Sequence, residues 1–103
     1  MLEKDIQKTI IDYLRYNGWF VIKNNTVGIY KKNTDSYIPS QAVGLADLTI
    51  IKDSRVIMLE VKTPKGKQSD GQIEFEKSWK EKGGEYYVVR SVEEVEQIIK
   101  QHD

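Results

Sequence analysis

The chain has no cysteine and a single histidine, His102, the penultimate of its 103 residues. The first absence excludes disulfides, thiolate metal sites and a cysteine nucleophile. The second leaves little room for histidine general-base chemistry or a zinc site, because chain ends fray. Net charge is also absent, since 16 basic residues offset 16 acidic ones. That argues against a strongly electropositive nucleic-acid binder, although local basic patches remain open. No apolar run approaches the roughly 18 residues of a membrane span. The opening Met-Leu-Glu-Lys-Asp is too polar for a signal peptide. The expectation is a soluble, cytoplasmic protein forming one small domain over residues 1–103, with an adequate but modest core.

What is present centres on residues 44–62. Two runs rich in β-branched residues, Gly44 to Ile51 and Val56 to Lys62, flank the polar turn Lys52-Asp53-Ser54-Arg55, as in a hairpin. A loop of two or of four residues gives the same register, in which opposed residue numbers sum to 107. Leu48 then meets Leu59 and Ile50 meets Ile57 on a wholly apolar face, which is core. On the other face Ile51 meets Val56, Thr49 meets Met58, and Asp47 meets Glu60. Lys62 follows on that face by the period of two. Opposed carboxylates with Cβ atoms about 5 Å apart are destabilising. At an effective dielectric near 20 the repulsion is roughly 3 kcal/mol. A hard divalent cation removes that cost, because oxygen-only sites suit magnesium, calcium or manganese. The bland alternative is a solvated strand face with Lys62 neutralising one acid.

Around this hairpin, residues 2–17 read as an amphipathic helix with Leu2, Ile6, Ile10 and Leu14 at i+4 spacing, stopped by Asn17-Gly18. Glu3 falls at the edge of its apolar stripe. An ordinary acidic residue in the first turn explains it equally well. Trp19 to Ile22 reads as a short strand. Residues 24–41 read as a long polar surface loop, in which Gly28-Ile29-Tyr30 could add strand at a hairpin tip. Gly44 suits a tight bend or a close approach to a ligand. Thr63 to Gln68 forms a basic connector. Ser69 and Gln72 then make a capping box that opens a helix to about Lys82, burying Ile73, Phe75 or Glu76, and Trp79. After Gly83-Gly84, Glu85 to Arg90 reads as a strand. Ser91 and Glu94 form a second capping box for a last helix. The fold class is α/β, a mixed sheet flanked by helices in the order α-β-β-β-α-β-α. The first three strands are antiparallel and the fourth runs parallel to its neighbour across a helical crossover. No internal repeat or linker is visible.

The ordered set Gly44-x-x-Asp47, Glu60-Val61-Lys62, a basic connector and a helix beginning at Gln72 resembles the PD-(D/E)xK nuclease superfamily, and within it the VRR-NUC family. Glu3 on the first helix and the closing stretch from Gly83 to Ser91 extend the resemblance over nearly the whole chain. Ala46 stands where the superfamily's name has proline. The resemblance implies a restriction-endonuclease-like fold and a magnesium- or manganese-dependent endodeoxyribonuclease. Asp47 and Glu60 would hold the metal, with Glu3, directly or through water, and the Val61 backbone carbonyl. Lys62 would act on water and phosphate, and Gln72 would complete the site. Lys23, Lys31, Lys32, Lys65 and Lys67 are candidate DNA contacts, with a merely solvated surface as their alternative. Similarity to stand-alone phage members implies a homodimer acting on branched DNA such as Holliday junctions, in the host cytoplasm. The readings left beside it are a non-catalytic nucleic-acid-binding or assembly module, a nuclease of flaps or duplex DNA, and a restriction-type nuclease with base readout.

Overall fold

A computed structural model describes residues 2–24, 29–31, 36–38 and 44–101, with 29–31 and 36–38 described by their backbone. The elements are α1 (Glu3–Tyr16), β1 (Phe20–Lys23), β2 (Ile29–Lys31), β3 (Ser36–Ile38), β4 (Leu48–Lys52), β5 (Arg55–Val61), α2 (Asp70–Glu81), β6 (Glu85–Val89) and α3 (Val92–Ile99). One four-stranded sheet has the order β1-β4-β5-β6. Its first three strands are antiparallel, and β6 runs parallel to β5 after the α2 crossover. This is the mixed α/β sheet that the sequence predicts. β2 and β3 pair with each other in a separate two-stranded ladder, so the segment read as a polar loop carries a short hairpin. Lys32 of that segment, and His102, lie outside the described residues.

Helix α1 buries Ile6, Ile10, Ile11 and Leu14, while Leu2 at its N-cap is exposed rather than part of the apolar stripe. It ends in a Schellman motif. The Gly18 N–H donates to the Arg15 carbonyl and the Trp19 N–H to the Leu14 carbonyl. Gly18 sits at φ +84°, in the left-handed region that favours glycine there. Trp19 is thereby turned inward beside Leu14, in the core cluster.

The 107 register holds: Leu48 pairs with Leu59 and Ile50 with Ile57, and all four side chains are fully buried. With Val21, Val61 and Val89 they form the sheet face covered by α1 and α3. The connection between β4 and β5 is the two-residue loop Asp53-Ser54, with φ of 51° and 69°. Both residues are left-handed, as a type I′ hairpin turn requires. At this turn Arg55 braces three elements. Its guanidinium donates to both carboxylate oxygens of Glu85 on β6 and to the carbonyls of Ile98 and Ile99 at the end of α3.

On the other sheet face α2 packs against β6 through Phe75 and Trp79, over Ala46, Met58 and Tyr86. Ile73, expected inside, is 50% exposed. The helix lies over one side of the sheet, and the stripe that meets it is Phe75 and Trp79; Ile73 falls off that stripe. At α3, Ser91 accepts the Glu94 N–H, but the Glu94 carboxylate reaches back to the Arg90 N–H. The expected second capping box is therefore half formed and displaced by one residue.

Candidate functional site

The β4–β5 ladder stops at Leu48 and Leu59, yet the two chains stay together beyond it. The Asp47 N–H donates to Glu60 Oε1 at 3.1 Å, and the Val61 N–H donates to Asp47 Oδ2 at 2.9 Å. Each carboxylate takes over the ladder acceptor that a backbone carbonyl would have supplied. The acids face each other because their own oxygens complete the sheet.

Two further residues, Asn24 and Gly44, fix the Asp47 segment. Asn24, just past β1, donates its N–H to the Asp47 carbonyl at 2.8 Å. Its side-chain amide donates to the Ala46 carbonyl at 3.0 Å and to Thr49 Oγ1 at 2.7 Å. Gly44 sits at φ +86°, and a Cβ there would fall 2.1 Å from the Gly71 carbonyl oxygen. The loop before Asp47 thus lies directly on the first turn of α2, which makes Gly44 a packing glycine.

Glu60 is the one buried charged residue among the described residues, at 1% exposure. Its Oε2 accepts from Gln72 Nε2 at 2.7 Å and pairs with Lys62 Nζ at 3.2 Å. Burial, and then the neighbouring charge of Asp47, push its carboxyl up to about 7, against the opposing pull of Lys62 and the Asp47 N–H. Gln72 acts twice. Its Oε1 accepts the Ser69 N–H at 2.8 Å, closing the expected capping box, while its amide nitrogen holds Glu60. The cap therefore aims the side chain into the site.

Glu3, in the first turn of α1, completes an acidic group. One carboxylate oxygen each of Glu3, Asp47 and Glu60 lie within 4.8 Å of one another. Glu3 is exposed, Asp47 half-buried and Glu60 buried, so the cluster opens outward from the sheet. An all-oxygen set of this kind fits magnesium or manganese better than zinc. A cation also answers the electrostatic cost visible in the raised Glu60 carboxyl.

The site residues read from the sequence, Glu3, Asp47, Glu60, Lys62 and Gln72, converge here. Glu60 is the penultimate residue of β5 and Lys62 follows directly after Val61, its final residue, and the loop beyond carries exposed Lys65 and Lys67. Arg90 pins that loop, its Nη1 donating to the carbonyls of Thr63 and Gly66. Lys23 is exposed at the end of β1, one residue before Asn24. Lys31 ends β2, in the separate two-stranded ladder.

Two residues of the neighbourhood escape a sequence reading. Asn24 looks like the start of a polar loop, and only the β1–β4 pairing brings it to Asp47. Tyr86 looks like one more strand residue. It is fully buried, and its hydroxyl has no hydrogen-bond partner among the described residues. Burial, and then the charge of Glu60, push that phenol well above its usual range.

No family model matches the sequence, and no curated protein matches it. Among solved structures, a chain described as a VRR_NUC domain superposes with a TM-score of 0.71, at 20% sequence identity. The match covers 98% of this chain and 97% of that one. The fold is that of a VRR-NUC domain, a restriction-endonuclease-like fold.

Proposed function

We propose that this protein is a metal-dependent endodeoxyribonuclease of the VRR-NUC kind, a single nuclease domain that hydrolyses phosphodiester bonds. The observation that carries the reading is the convergence of Glu3, Asp47 and Glu60 oxygens beside Lys62, on this fold. Asp47 and Glu60 would hold the cation, with Glu3 joining directly or through water and the Val61 backbone carbonyl as a further ligand. A divalent ion bound there supplies Lewis-acid activation of the phosphate and of the attacking water.

The chain's own groups do the rest. Asn24 and Gly44 fix the Asp47 loop, so the first carboxylate needs little reorganisation on binding. Gln72 holds Glu60 Oε2 and keeps that carboxylate from rotating. Lys62, 15% exposed, sits within reach of both Glu60 and solvent. From there its ammonium orients water and stabilises the charge that develops on the phosphate. Lys23, Lys31, Lys32, Lys65 and Lys67 supply phosphate contacts whose contribution falls with salt. Branched DNA, four-way junctions above all, is the proposed substrate. A homodimer is its proposed counterpart, because a two-fold substrate needs two nicks.

The test is a panel of labelled four-way junctions, flaps and duplexes with magnesium or manganese, with light scattering on the same preparation. Wild type is expected to nick junctions in the presence of metal. Lys62→Ala and Glu60→Ala should abolish nicking while keeping the circular dichroism of the fold. Undiminished cleavage by both variants overturns the site assignment.

A further inference from the structure

Beside the acidic group lies a groove that the chemistry above does not use. Its volume is about 410 Å³, within the roughly 300–1,000 Å³ of ordinary ligand pockets. Ile6, Pro64 and Val92 give it apolar walls, and Thr9, Arg90 and Glu93 give it a polar rim. Two chain connections tie it to the acidic group. Ile6 and Thr9 follow Glu3 at i+3 and i+6 on α1, so the groove begins about 4.5 Å along the helix axis from Glu3. Pro64 stands two residues after Lys62, in the loop that carries Lys65 and Lys67. Glu3 and Lys62 both meet Glu60. A nucleotide whose phosphate rests there therefore has the groove beside it.

The rim carries charge of both signs. Among the described residues Arg90 engages only Nη1, on the carbonyls of Thr63 and Gly66, so Nε and Nη2 keep N–H groups to donate. Glu93 is exposed and offers acceptors. Thr9 Oγ1 donates to the Asp5 carbonyl at 3.0 Å and can still accept. A phosphate in the groove would meet the Glu93 carboxylate, and an aliphatic group would leave the rim unsatisfied. A flat, neutral group with donors and acceptors along its edge suits both walls and rim. A nucleobase out of its stack is such a group, and apolar side chains with edge hydrogen bonds are how such bases are held. We infer that this groove receives an unpaired nucleobase next to the phosphate at the acidic group. Extruding a base is cheapest where it is already unpaired, so the groove selects branched over intact duplex DNA. The inference deepens the nuclease reading and rests on it for the path of the strand, and the tests separate the two.

The first test needs no cleavage. Thr9 is exposed and methionine is the better helix former, so Thr9→Met should fold while its longer side chain occupies the groove. Four-way junctions carrying 2-aminopurine, which fluoresces when unstacked, at successive positions around the branch are bound to Lys62→Ala protein with manganese. One position should brighten on binding. Adding Thr9→Met should remove that signal, and adding Thr9→Ser should keep it. No brightening at any position, or brightening that Thr9→Met leaves intact, overturns the inference.

The second test is single-turnover nicking with manganese, with Lys62 restored. An abasic residue at the brightening position should slow wild type about tenfold, the worth of one base contact. Thr9→Met should slow nicking of the unmodified junction by the same factor and lose nothing more on the abasic one. Losses that multiply overturn the inference. Wild type that nicks no substrate refutes the nuclease reading instead, and the fluorescence then decides the groove by itself.

Discussion

Asp47 and Glu60 meet through backbone as well as charge. The Asp47 N–H donates to Glu60 Oε1 at 3.1 Å, so the residue that repels the Glu60 carboxylate also holds it. The arrangement is rigid and electrostatically costly together, which is what a site prepared for a cation requires.

That cost predicts a pH dependence. The Glu60 carboxyl lies at about 7 in the folded chain, against an ordinary value of 4.5. Between those values the folded state holds a proton that the unfolded chain has lost, so stability from this group is full below about 4.5 and falls as pH rises through about 7. A shift of this size is worth about 3 kcal/mol. Metal-free protein compared with Glu60→Gln in parallel melts should fall further behind the variant from pH 5 to pH 8. Manganese at pH 8 should raise the Tm of wild type and not that of Glu60→Gln.

Gln72 offers a way to separate helix capping from site chemistry. Gln72→Ala removes both roles and should cost about 1 kcal/mol through the lost cap. Gln72→Glu keeps a residue that can close the box with Ser69, but turns a donor to Glu60 into a fourth carboxylate. It should retain most of the helix while losing nicking at least as severely as Gln72→Ala. Far-ultraviolet circular dichroism paired with junction cleavage reads the two effects separately.

The central hairpin was legible because its information is local. Alternating β-branched residues and a two-residue turn determine which side chains share a face, and Leu48, Leu59, Ile50 and Ile57 follow from that. The capping box placed Gln72 at the start of α2 for the same reason. Glu3 could be set only at the edge of a stripe, since periodicity gives a helix face but not what the face meets. The inward residues of α2 depended on how far the helix rolls over β6, and Ile73 was misplaced accordingly. Asn24 reaches the site, and Tyr86 its neighbourhood, only through strand pairings. The register of a parallel pair is set by a long crossover that no short-range pattern encodes.

At the far end of the hairpin, Ser54 occupies φ 69° without being glycine or asparagine. An L-residue in the left-handed region costs roughly 1–2 kcal/mol. Ser54→Gly should recover about 1 kcal/mol, net of the extra freedom glycine gives the unfolded chain. The turn lies at the opposite end of β5 from Glu60 and Lys62, so nicking should be unchanged. A higher Tm with equal cleavage is the expected result, and a register change would appear instead as lost activity.

Gly44 should tolerate no side chain. In Gly44→Ala the new methyl would stand 2.1 Å from the Gly71 carbonyl oxygen and 3.0 Å from the Gln72 nitrogen, and these are backbone atoms that cannot rotate aside. The left-handed φ of +86° adds its own penalty. Strain and overpacking together are worth roughly 2–5 kcal/mol. Relief requires the 44–47 loop to lift from α2, which carries Asp47 away from Glu60, or α2 to shift, which carries Gln72 away. Either movement dismantles the acidic group. Gly44→Ala should therefore lower manganese affinity in calorimetry by tenfold or more even at temperatures where the variant remains folded. A variant that is destabilised but binds manganese like wild type would show that the loop and the metal ligands are independent.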